Sequence, residues 1–104
     1  MAFVRAASVG EVASGKVQEV QIEGKTIAVA NVGGKFYAIN NTCLHRGGPL
    51  GQGTLSGTTI ICPWHGWSFD VTNGKLVHNQ TAGLACYPTD VRGDELFVDV
   101  TPRP

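Results

Sequence analysis

Cys62-Pro63-Trp64-His65-Gly66-Trp67-Ser68-Phe69-Asp70 sets a thiol and an imidazole three residues apart, on a stretch that a proline and a glycine bend into a turn. Residues 58–61 (TTII) before it and 67–71 (WSFDV) after it are rich in β-branched and aromatic side chains. The turn therefore reads as the link between two short strands. Upstream, NNTCLHRGGPLGQG (40–53) is too rich in Gly, Asn and Pro for a regular element, and it carries Cys43-x-His45. Sixteen residues (46 to 61) separate His45 from Cys62. Two such turns, brought together by sheet pairing, can aim two thiols and two imidazoles at one point. Gly47, Gly48, Pro49, Pro63 and Gly66 fix the turns and let backbone approach that point closely.

The pattern of short β-like runs extends outward. Residues 3–7 read as a first strand. Ser8-x-x-Glu11 fits a capping box over one helical turn (9–13) and fits a solvated loop equally well. Residues 17–22 form a run closed by Glu23-Gly24-Lys25. Residues 26–32 then alternate, Ile27, Val29 and Asn31 on one side and Ala28, Ala30 and Val32 on the other. Gly33-Gly34 is a two-residue hairpin signal, and 35–39 (KFYAI) is the returning strand. These pieces predict an antiparallel meander. After 67–71, Thr72-Asn73-Gly74 is a turn and 76–84 a looser stretch. Two last strands, 86–91 and 96–100, are joined through Arg92-Gly93-Asp94-Glu95, and the tail 101–104 should fray. The expectation is one small all-β domain, 1–104, of stacked antiparallel sheets.

Composition excludes several classes. Of 104 residues, 42% are apolar and 15% charged, which is globular rather than disordered. Eight basic and eight acidic residues balance to zero, which argues against nucleic acid and against polybasic attachment to lipid. Arg5 and Glu11 interrupt the first fifteen residues, so these read as neither a secretory signal nor a membrane span, and the location expected is cytoplasmic. Three cysteines are too few for a disulfide framework and read as metal ligands or buried apolar fillers.

Two Cys and two His admit two chemistries. Tetrahedral zinc takes all four on one ion; a Rieske centre puts two thiolates on one iron and two imidazoles on the other. The flanks separate them. C-x-H together with CPWHGWSFD resembles the signature of Rieske-type [2Fe–2S] proteins, and the short Cys–Cys and His–His gaps of zinc fingers are absent. The segment before Cys43, the hairpin between Leu50 and Ile61, and Tyr87-Pro88 with Leu96-Phe97-Val98 are similar to small Rieske ferredoxins along nearly the whole chain. That resemblance implies a Rieske fold with a cluster-binding subdomain at about 41–84. It implies one [2Fe–2S] cluster per chain, held by Cys43, His45, Cys62 and His65.

His45-Arg46-Gly47 and CPWHGW look closest to the Rieske domains of bacterial ring-hydroxylating oxygenases. Those continue into a catalytic domain, for which residues up to Pro104 leave no room. The resemblance thus implies a monomeric electron carrier rather than an enzyme. It would take electrons from a flavin-dependent NAD(P)H ferredoxin reductase and pass them to a terminal oxygenase, with no nucleic acid or membrane involved. The alternatives are a small subunit similar to that of assimilatory nitrite reductase, some of which lack the ligands that this chain keeps, and a structural zinc module.

Imidazole in place of two thiolates raises the potential into a family span of about −150 to +300 mV. High-potential respiratory relatives add a disulfide and two hydroxyl donors. The corresponding positions here are Gly48 and Trp64, and Trp67 and Phe69, so the expected potential lies toward the low end. Trp64, Trp67 and Phe69 read as packing around the cluster, and Cys86 as a buried inert thiol. His78 reads as a surface histidine, and Arg46 as either a docking or a solvated residue at the tip. Asp90, Asp94, Glu95 and Asp99 read as solvated hairpin faces.

Overall fold

A computed structural model describes residues 3–42, 48–64, 66–77 and 79–100, the side chains of 79–81 excepted. Strands β2 (Val17–Ile22), β3 (Lys25–Val32) and β4 (Lys35–Asn40) form the expected meander. Its two hairpins close on two-residue turns with both residues left-handed. Glu23 and Gly24 have φ 50° and 81°, and Gly33 and Gly34 have φ 60° and 95°. Turns of that kind match the twist of the strands they join.

Strand β3 is buried on both faces, and this sets the layering. Ile27 and Val29 pack with Val20, Phe36, Leu96 and Val98 in one core. Ala28 and Ala30 pack with Leu50, Ile60 and Phe69 in a second. The meander is thus the middle of three layers, and two alanines on one face of β3 let the third layer approach closely.

On the first side lies a sheet of β1 (Phe3–Ser8), β12 (Glu95–Asp99) and β11 (Thr89–Arg92), in the order β1-β12-β11. Strand β1 pairs with β12, not with the meander to which its sequence neighbourhood assigned it. On the other side is a five-stranded antiparallel sheet. It contains β5 (Thr54–Ser56), β6 (Thr59–Ile61), β7 (Ser68–Asp70), β8 (Lys75–Leu76) and β9 (Asn79–Gly83). The stretch expected to be loose therefore holds two paired strands, with a register shift between Lys75 and Leu76 that blurs their alternation.

The expected strand over 86–91 is two strands in two sheets. β10 (Cys86–Tyr87) extends the middle sheet beside β4, whereas Thr89 pairs with Val98 in the first. Pro88 lies at the switch; it has no N–H for a ladder, but its carbonyl accepts from the Asp99 N–H at 3.0 Å. Asp99 itself is buried rather than solvated, at 1% exposure. At the N-terminus the helical alternative holds as a single 3-10 turn, Val9–Glu11, where Glu11 Oε1 accepts the Ser8 N–H at 2.8 Å. Ser8 Oγ also accepts from Arg5 Nη2 at 3.1 Å.

Candidate metal centre

Strand β6 runs straight into Cys62, and six residues (62–67) separate it from β7, which runs back beside it. The Cys62 N–H donates to Trp67 O at 2.7 Å and closes the turn, and Gly66 takes φ 74° inside it. A side chain at position 66 would be strained there. The Cys62 side chain is 2% exposed and belongs to the second core with Ile60 and Phe69. Its Sγ accepts the Trp64 N–H at 3.4 Å. A donor of that kind favours a charged sulfur, and no sequence pattern announces it.

The first loop leaves β4 through Asn41 and Thr42 and returns at Pro49 and Leu50. Thr42 bridges to Pro49, and the Leu50 N–H donates to Asn41 O at 2.8 Å. Leu50 anchors the returning limb: it starts a 3-10 turn, Leu50–Gln52, within the segment expected to lack regular structure, and its side chain is wholly buried. The two loops meet at Gly48. A Cβ built there would sit 2.6 Å from Cys62 Sγ and 3.1 Å from Trp64 Cβ and Cγ. Only a residue without a side chain leaves the space beside that sulfur open.

Cys62 is thus placed at the junction of the two loops. Cys43, His45 and His65, with Arg46 and His78, lie outside the described residues. Among the described residues no group of three or more His, Cys, Asp or Glu could hold a metal ion. The open space at Gly48, the buried thiol with its N–H donor, and a soft donor set of two thiols and two imidazoles suit a [2Fe–2S] group.

The surrounding aromatics divide. Phe69 is wholly buried and Trp67 packs against the second core, as expected of a dry shell. Trp64 does not: one flank lies toward Gly48, but the residue is 48% exposed. It stands in the turn past the end of β6, where the sheet no longer covers it.

Cys86 is half-buried at the edge of the second core rather than fully enclosed. Burial, and then the negative charge of Asp70, push its thiol up from 9.0. It stays protonated and unreactive at neutral pH. Because the folded value is raised, any stability it confers is present in full below the unfolded thiol pKa and fades as pH climbs past it. Cys86→Ser should leave iron content and redox potential unchanged and cost about 1 kcal/mol through a partly buried hydroxyl. Iron analysis, voltammetry and thermal melting check this; loss of iron would mean that Cys86 is a ligand.

Comparison with known proteins agrees with this geometry. The chain is 33% identical over 100 residues to the ferredoxin component of the naphthalene 1,2-dioxygenase system of Pseudomonas aeruginosa, covering 95% of this chain and 96% of that protein. Its fold matches the Sphingomonas yanoikuyae B1 ferredoxin with a TM-score of 0.86, at 30% identity and over 96% and 100% of the two chains. It also matches a chain in the complex of reduced oxygenase and oxidized ferredoxin in carbazole 1,9a-dioxygenase, with a TM-score of 0.84, 32% identity and 92% and 91% coverage. The zinc alternative has no counterpart among these likenesses. With two turns meeting at a buried cysteine, and with residues 2–88 matching the Rieske [2Fe-2S] domain, the chain belongs to the Rieske family.

Proposed function

We propose that this protein is a low-potential one-electron carrier that serves a terminal oxygenase of the ring-hydroxylating type and is recharged by a flavin-dependent NAD(P)H reductase. The observation that carries the reading is the near end-to-end likeness to stand-alone ferredoxin components, together with a site whose one described ligand is buried. Cys43, His45, Cys62 and His65 hold the cluster, within a cluster-binding part at about 41–84 of a single domain. The bound cluster supplies a one-electron couple whose irons are fully ligated by protein and sulfide.

The chain's own residues do the rest. Cys62 and its neighbours Ile60 and Phe69 keep water from one side of the site. The Trp64 N–H steadies charge on Cys62 Sγ. Trp67 and Phe69 offer no hydroxyl, and Ser68 between them donates to Gly66 O at 3.3 Å, which supports a potential low in the family span. Among the described residues no helix is long and apolar enough to cross a membrane. We place the carrier in the cytoplasm as a monomer.

The half-exposed Trp64 gives the oxygenase an apolar contact close to Cys62. Purified protein, reconstituted with a ring-hydroxylating oxygenase and its reductase, should restore NAD(P)H-driven hydroxylation. Trp64→Ala should raise the carrier concentration needed for half-maximal turnover about tenfold, a loss typical of a contact tryptophan, with its potential unchanged. Absence of a Rieske EPR signal in the reduced wild-type protein would sink the reading.

A further inference from the structure

Asn41, at the foot of the first loop, is buried to 5% exposure with both polar atoms of its side chain engaged. Its Nδ2 donates to Glu19 Oε2 at 2.6 Å, and its Oδ1 accepts the Gly51 N–H at 2.6 Å. The other oxygen of Glu19, Oε1, accepts from Gln52 Nε2 at 3.0 Å. A side chain at Gly51 would run into Glu19 Cγ and stand 2.8 Å from Asn41 Oδ1. The cluster of groups therefore ties β2, the exit of β4 and the 3-10 turn into one brace.

The neck of the loop needs such a brace. Pro49 has no N–H, and the Thr42 N–H is taken by Asn40 Oδ1 at 2.9 Å, so two backbone donors are missing from the ladder where Thr42 faces Pro49. We propose that Glu19 and Asn41 are positioning residues that lock this neck and so hold Cys43 and His45 in register with Cys62. The proposal rests on the ligand assignment above. Glu19 lies far from both ligand motifs in sequence and acts only through Asn41 and Gln52. The order of donors and acceptors is fixed: the carboxylate only accepts, and the amide donates to it while accepting from Gly51.

That order makes an exchange of groups the decisive test. Asn41→Asp sets one carboxylate against another and breaks the brace. Adding Glu19→Gln to it restores the pattern in mirror form. The new amide donates, the new carboxylate accepts from both the amide and the Gly51 N–H, and the amide oxygen still accepts from Gln52. Iron-loaded wild type, N41D and N41D/E19Q are compared for the rate of cluster release to a chelator well below melting, for EPR line shape, and for hydrogen exchange at the Gly51 amide.

N41D should release its cluster about tenfold faster or more, with a broadened EPR line, and the double variant should return to within about threefold of wild type. Equal release from all three, or no recovery in the double variant, overturns the proposal. So does a fall in melting temperature with release and line shape unmoved, because that is all a merely structural role would give. If N41D does not accumulate as folded protein, its rescue by E19Q supports the brace and failure of rescue overturns it. A wild type without a Rieske spectrum overturns the ligand assignment instead. Gly51 exchange, faster in N41D and restored in the double variant, still judges the brace in that case.

Discussion

Cys62→Ala protein should purify colourless, essentially without iron, and should show no Rieske EPR signal after reduction. The substitution removes a thiolate whose place beside Gly48 nothing else can fill, since the neighbouring side chains of the second core, Ile60 and Phe69, offer no donor atom. The turn itself should survive, because the bond that closes it runs from the Cys62 N–H to Trp67 O and uses backbone alone. Far-UV circular dichroism of the variant should therefore keep its β signal while the visible spectrum disappears. Cys62→Ser should do little better, because a hydroxyl is a harder and far less acidic ligand than a thiol. Alanine at Cys43, His45 or His65 should have the same outcome. A full Rieske spectrum in any one of these proteins would remove that residue from the ligand set.

The second large effect is expected from Phe69→Ala. Phe69 is wholly buried in β7, paired with Ile60 on one side and Leu76 on the other, beneath the turn that carries Cys62. Removing a buried phenyl ring costs about 3–5 kcal/mol. That is a large part of the roughly 5–15 kcal/mol that holds a small domain together. At about 4–8 °C per kcal/mol for a domain near this size, the melting temperature should fall by at least about 12 °C. Iron should be lost with the fold, in contrast to Cys62→Ala, where only the iron goes. Phe69→Leu, which fills most of the same space, should lie nearer wild type. Calorimetry or thermal circular dichroism of the three proteins measures the difference, and a Phe69→Ala melting point within a few degrees of wild type would contradict this account of the second core.

Much of the architecture was legible because it is local. Gly33-Gly34 announces a left-handed two-residue turn, whereas the turn expected over 23–25 is tighter by one residue, Lys25 pairing with Ile22 in the ladder; the strands that these turns join alternate or run apolar as a buried meander must. CPWHGWSFD carries its own turn chemistry, so the turn between β6 and β7 that holds Cys62 could be read before any fold was known. The rest depended on partners far away in sequence. Nothing near residues 3–7 signals that their partner is β12. Pro88 did carry a readable warning, since proline interrupts a central strand, and the apparent run over 86–91 is broken at that residue. The exposure of Trp64 and the brace from Glu19 to Asn41 follow no period, being products of where β6 ends and of side chains that meet across 22 positions. Neither could be read from a string of residues alone.

The pairing of Phe3 with Asp99 also bears on how the chain assembles in time. Strands β2 to β4 and β5 to β9 each close on near neighbours, so both can form as soon as their own residues are available. The first sheet cannot, because β1 must wait through about ninety residues of chain before its partner exists, and contacts of such long range are the slow ones. Until then Val20, Ile27 and Val29 face water, and the growing chain is exposed to misassociation on that side. The loops around Cys62 belong to the other side, beyond β3. In order of synthesis, the sheet of β5 to β9 beside Cys62 therefore precedes β12, on which the opposite face depends.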